Sequence, residues 1–187
     1  MVCVKETTQN KIEVKKSTFT SFLLPYPLFE NYHDTLKQAH PKASHIIWAF
    51  RYINEHGQIV EGGSDDGEPK GVAAAPSLNV LRGQELINTA LLTVRYFGGT
   101  KLGTGGMVRA YGHSVKEVIM ISDLLPYEPK SEQYFETPYT LSKRYEHFFT
   151  THDIDYHDRE FKADSIVWKV SLTQNEKEEF EAFVTSL

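Results

Sequence analysis

The sequence predicts an α+β protein of two domains, and three observations carry that reading. Strand-like alternation and helical periodicity are interleaved along all 187 residues. A stretch from Leu124 to Ser131, with Pro126 and Pro129, interrupts them as a linker would. The charge balance changes sign at that stretch. Residues 1–130 hold 14 Lys+Arg against 13 Asp+Glu, a net of +1, and residues 131–187 hold 6 against 12, a net of −6. The expected division is a domain over 1–123, a linker over 124–132 and a second domain over 133–187.

The elements follow in order. Lys11 to Leu24, rich in Thr, Val and Phe, reads as one or two strands ending at Pro25. Pro27 precedes a helix from about Leu28 to His40, stopped by Pro41. Ala43 to Ile53 is a strand with Ile46, Trp48, Phe50 and Tyr52 on a core face, and His45, Ile47, Ala49 and Arg51 on a face expected to be open. The turn Asn54-Glu55-His56-Gly57 leads to a short strand. A helix is expected over about Gly71 to Leu81, with Pro76 near its start, and then a strand from Leu91 to Phe97. The next helix runs from about Thr104 to Ser122 and should bury Val108, Tyr111, Val115, Val118, Ile119 and Ser122. Beyond the linker the order is strand (Gln133–Pro138), helix (Leu141–His152), two strands within Ile154–Leu172, and helix (Asn175–Thr185). That βαββα order is a ferredoxin-like α/β sandwich lacking its last strand.

Composition narrows the function classes. At 40% hydrophobic and 12% aromatic the chain can bury a core. Cys3 is the single cysteine, which leaves no internal disulfide and no cysteine-rich zinc site. The polar start is not a signal peptide, and no apolar run approaches the ~20 residues of a membrane helix. A soluble, cytoplasmic protein without a membrane partner is expected. Its net charge of −5 argues against coating long nucleic acid nonspecifically.

The chemistry is concentrated between Gly63 and Gly106. An acidic loop, Ser64-Asp65-Asp66-Gly67-Glu68-Pro69, is followed by a strand, a glycine turn (Gly98, Gly99, Gly103) and a helix beginning near Thr104-Gly105-Gly106. From Leu86 to Lys116 there are four cations, Arg95, Lys101, Arg109 and Lys116, and no acid. A glycine turn entering a helix presents N–H groups to an anion, and Arg and Lys can clamp it. A tight strand-to-helix connection needs the same glycines, so that bland reading stands beside the phosphate site. The spacing is neither a P-loop nor a dinucleotide fingerprint. Asp65, Asp66 and Glu68 read either as acid, base or metal ligands or as a solvated turn; no metal and no cofactor is expected.

Ser64-Asp65-Asp66-Gly67-Glu68-Pro69, Gly71, Ala73 and Pro76, then Val94-Arg95-Tyr96-Phe97-Gly98-Gly99-x-Lys101-Leu102-Gly103, resemble the signature of the IMPACT (YigZ-type) family. Lys16-Ser17-x-Phe19 and the strand from Ala43-Ser44-His45 to Trp48-Ala49 resemble its upstream part. The resemblance implies a left-handed βαβ N-terminal domain like those of ribosomal proteins and elongation factors, and a ferredoxin-like C-terminal domain like the last one of elongation factor G. It implies the bacterial form, without the extra protein-binding domain of the eukaryotic translation regulators.

Three functions follow as expectations. The first is a nucleic-acid- or ribosome-binding protein of the translation apparatus, holding phosphates with Arg95, Lys101, Arg109 and the N–H groups of Thr104, Gly105 and Gly106, extended by His45 and Arg51, while Asp65, Asp66 and Glu68 shape the adjoining loop. The second is an enzyme acting on a phosphorylated small molecule or nucleotide. The third is a protein-interaction module docking a protein partner through the acidic C-terminal domain.

Overall fold

The computed structural model describes residues 1–187. Two compact units divide at Tyr127/Glu128. The first contains β1 (Val2–Val4), β2 (Thr8–Val14), β3 (Ser17–Pro25), α1 (Phe29–Ala39), β4 (His45–Ile53), β5 (Ile59–Ser64), α2 (Ala74–Gly83), β6 (Thr89–Tyr96), α3 (Thr104–Met120) and β7 (Leu124–Pro126). The second contains β8 (Ser131–Pro138), α4 (Ser142–Thr151), β9 (Arg159–Phe161), β10 (Ser165–Leu172) and α5 (Gln174–Thr185). Both units are α+β.

Five antiparallel strands in the order β2-β3-β6-β4-β5 form the main sheet of the first unit. Strands β3 and β4 both pair with β6, so they run parallel to each other on either side of it, joined by α1. This is the βαβ unit that the resemblance implies. Helix α1 packs Leu36, Tyr32 and Phe29 against Phe22, Ile46, Leu92 and Val94 on one face. Helices α2 and α3 cover the other, where Leu23, Ala49 and Leu91 meet Leu81, Val115 and Val118.

That two-sided covering corrects the reading of β4. On the face expected to be open, Ile47 and Ala49 are fully buried under the helices while His45 and Arg51 at its ends are partly buried, and Trp48, Phe50 and Tyr52 on the other face are only half-buried. Alternation of large and small side chains misled because small residues let α2 and α3 approach closely. The stripe of α3 shifts similarly. Met107, Ala110, Tyr111 and Ser114 join Val115, Val118 and Ile119 in the core, whereas Val108 is exposed.

The linker region also differs from expectation. Leu124–Pro126 pairs with Val2–Val4, and Ser131 already belongs to β8, leaving only Tyr127 to Lys130 between the units' strands. In the second unit β10 pairs with β8 on one side and β9 on the other, in the order β8-β10-β9. Phe149, Trp168, Val170 and Phe180 anchor a core between that sheet and its two helices. The order is that of a ferredoxin-like sandwich without its fourth strand.

Candidate functional site

The acidic loop is held by its own carboxylates. Both oxygens of Asp65 accept backbone N–H groups, from Gly71 at 2.7 Å, Ala74 at 2.8 Å and Ala73 at 3.0 Å, which caps the start of α2 from nine residues upstream. Burial works to raise the pKa of Asp65, but the N–H groups of Gly71, Ala74 and Ala73 outweigh it and hold the carboxyl below its usual range. The carboxylate of Asp66 accepts the N–H of Ile46 at 2.6 Å, and its carbonyl meets His45 Nδ1 at 2.7 Å. Asp66 thereby ties the loop to the start of β4.

Glu68 turns inward. It is buried and accepts hydrogen bonds from the Arg95 guanidinium and, at 2.7 Å, from the Tyr111 hydroxyl. His45 sits opposite Arg95 in the β4–β6 register, with Nε2 3.7 Å from the other Glu68 oxygen. Burial pushes the Tyr111 phenol far above its ordinary value, and the Glu68 hydrogen bond and charge add to it, so the hydroxyl stays a neutral donor. The three acids send their carboxylates to three different places and do not converge on one ion.

Arg95, expected as a phosphate clamp, is thus 95% buried, ion-paired with Glu68 and stacked at 5.4 Å on Phe19. Its Nε is buried without a hydrogen-bond partner. A cavity of about 350 Å³ lies above it, lined by Pro69, Phe97, Lys101, Thr104 and Met107. Arg51 is elsewhere. It pairs with Thr89 at the far end of β6, where its guanidinium bonds Glu61 at 2.7 Å and the Leu86 carbonyl at 2.9 Å. Six residues of strand, roughly 20 Å, separate it from His45.

Helix α3 starts without a side-chain cap and with no acid in its first turn. Its first ladder bond runs from Met107 N–H to the Gly103 carbonyl, which leaves the N–H groups of Thr104, Gly105 and Gly106 without intrahelical partners. Gly103, at φ +70°, makes the abrupt entry possible. Arg109 lies one turn on, its Nη1 close over Gly105.

Two cations at this place escaped sequence reasoning. Val14 pairs directly with Ser17, so Lys15 and Lys16 form a two-residue hairpin turn, at φ +48° and +65°. The backbone of this turn lies against Gly98, where any Cβ would fall 1.9 Å from the Lys16 carbonyl carbon. Lys15 then lines a second cavity, of about 380 Å³, with Leu102, Gly106, Arg109 and His113. Lys15, Lys16, Lys101 and Arg109 are exposed and none is paired with a carboxylate. The signal for the turn was present in the strand-like flanks of a Lys-Lys pair, but lysine is a poor marker of positive φ.

A family model described as the Impact N-terminal domain matches residues 15–119, the span from that turn through α3. The chain belongs to the IMPACT family. An IMPACT family member of Haemophilus influenzae is 40% identical over 112 residues, covering 58% of this chain and 54% of that protein. YvyE of Bacillus subtilis is 38% identical over 117 residues, with coverage of 61% and 53%. This IMPACT-family chain therefore spans about half the length of the curated relatives it matches. A crystal structure described only as that of a hypothetical protein is similar with a TM-score of 0.78 and 26% identity, covering 99% of this chain and 91% of that one. No helix is long and apolar enough to cross a membrane.

Proposed function

We propose that this chain is a cytoplasmic RNA- or ribosome-binding protein of the translation apparatus, and that the start of α3 holds phosphate groups of the RNA. One observation carries the reading. An uncapped helix start with three free N–H groups is surrounded by the exposed, unpaired cations Lys15, Lys16, Lys101 and Arg109, brought from three separate segments. Aligned N–H groups and the helix dipole favour an anion there, and the cations add attraction at long range. Arg95 and Lys101 both line the adjoining cavity, which places cationic residues beside the same site. Phe97, 51% exposed at that cavity, offers a face on which an unstacked base can lie. In this reading Glu68 and Asp65 build the floor, while His45 and Arg51 make no phosphate contact.

Binding of the full chain to ribosomes and to a structured ribosomal RNA fragment, titrated across salt concentrations, tests it. Replacing Lys101 and Arg109 together by alanine should weaken binding and reduce the salt slope by about two, roughly one counterion per lost contact. Thermal stability should change by no more than about 0.5 kcal/mol, because both side chains are exposed. Salt-insensitive binding, or full affinity in the double variant, would overturn the proposal. Turnover of a phosphorylated small molecule that is lost in the same variant would replace it with the enzyme reading.

A further inference from the structure

Leu102 divides two cavities. It lines the one above Arg95, of about 350 Å³, and also the one beside the Lys15–Lys16 turn, of about 380 Å³. Its side chain rests on the first turn of α3 at Gly106, where an added Cβ would come within 3.2 Å of the Leu102 Cβ. It packs there against the core that holds Met107 and Ala110. The two compartments are therefore neighbours across one fixed side chain.

Their chemistry differs. Lys15, Arg109 and His113 make the second compartment cationic. The first is walled by Pro69, Phe97, Leu102 and Met107, with Lys101 as its one exposed cation and the buried Glu68–Arg95 pair at its inner end. That pair neutralises itself, so the inner end suits a flat, largely apolar group better than an anion. Phe97 stands 51% exposed at this cavity on a rigid backbone. Its N–H donates to Ser44 Oγ at 3.1 Å, and the N–H of Gly98 donates to Ser17 Oγ at 3.0 Å. An aromatic face held in place in this way loses little freedom when a ligand stacks on it.

A ligand that fills both compartments joins a planar, weakly polar group to anionic groups close beside it, as a nucleotide does. Resting on the proposed function, we propose that this site takes one unpaired nucleotide of a single-stranded RNA segment. Its base enters the slot against Phe97, and its two flanking phosphates lie at the start of α3 and among Lys15, Arg109 and His113. Arg109 follows Gly105 by one helical turn, about 6 Å along the axis, so the two phosphate positions succeed one another along α3. Stacking on an aromatic beside a cationic track is how single strands are held without sequence preference. In an A-form duplex the bases stay stacked and paired, and a slot with a buried floor cannot receive them. Phosphate contacts alone carry no such discrimination. Preference for the unpaired strand is therefore the mark of the slot.

The test uses the full chain and a short fluorescein-labelled RNA of mixed sequence, free and annealed to its complement. Anisotropy should show the single strand bound about tenfold more tightly than the duplex. Phe97→Ala should weaken single-strand binding about tenfold, the worth of one base stack, and leave duplex binding unchanged. Phe97→Trp should restore it. Lys101→Ala with Arg109→Ala should weaken both forms. Phe97 is half exposed, so its variants should fold. Equal affinity for the two forms would overturn the slot while the phosphate reading stands. So would a Phe97→Ala loss that is equal for both forms or that Phe97→Trp does not restore. Binding of neither RNA would remove the phosphate reading and the slot together. If the wild type but not Phe97→Ala then captured an acidic, tyrosine-bearing peptide, the slot would belong to a protein partner instead.

Discussion

Glu68 meets three partners, from β4, β6 and α3. Glu68→Gln would leave the Arg95 charge buried without its counter-charge. Breaking one side of a buried pair costs about 3–5 kcal/mol. Urea unfolding should show a loss of that size, against about 1 kcal/mol for Tyr111→Phe, which removes one hydrogen bond. Asp65 provides a pH test. Its carboxyl is lowered in the folded state, so its contribution is full above the ordinary aspartate range and is lost as pH falls through the lowered folded value. Asp65→Asn should therefore be less stable than wild type by about 1–2 kcal/mol at pH 7, with the gap closing below about pH 4. Sequence placed these acids in one loop and suggested that they shape it. It could not say which of the three faces inward, because a loop has no periodicity from which to read burial.

Among the elements, the Lys15–Lys16 turn has the least favourable local chemistry. Both residues are at positive φ, a region that costs a side-chain-bearing residue about 1 kcal/mol and that Asn-Gly adopts readily. Lys15→Asn with Lys16→Gly should raise stability by about 1–2 kcal/mol in thermal unfolding and, on the proposed function, weaken RNA binding. Gains in both would detach the turn from the binding site. Gly98→Ala should act in the opposite sense, because its Cβ would overlap the Lys16 backbone and the turn must shift. Most strands and helices were legible from periodicity to within a few residues. The faces of β4 were not, since a sheet covered on both sides shows two apolar faces and alternation loses its meaning. The cationic surface was half legible. Lys101, Arg109 and the helix start lie close in sequence, but Lys15 and Lys16 reach them only through the β2–β3–β6 pairing.

On the scale of the molecule, each unit has its own core, and the segment between their strands is short and exposed at Glu128, Pro129 and Lys130. Limited trypsin digestion should cut first after Lys130 and release a stable fragment ending there; early cleavage within the glycine turn would show that the first unit does not hold together alone. The proline pair and the charge change pointed to this place, yet half of the expected linker is strand. Leu124–Pro126 was unreadable as such because its partner, Val2–Val4, lies more than 100 residues away.

That pairing of β1 with β7 has a further consequence. The Tyr127 N–H donates to the Met1 carbonyl at 3.1 Å, so the two extremities of the first unit meet. The order in which its segments are synthesised is then incidental to the fold. A circular permutant joining Tyr127 to Met1 by a few glycines, and reopened in the exposed Asn54–Gly57 turn, keeps every sheet pairing except the closing bend of one hairpin. It should fold with the α3 surface intact, and the same geometry suits this unit to insertion as a cassette within a loop of an unrelated host protein.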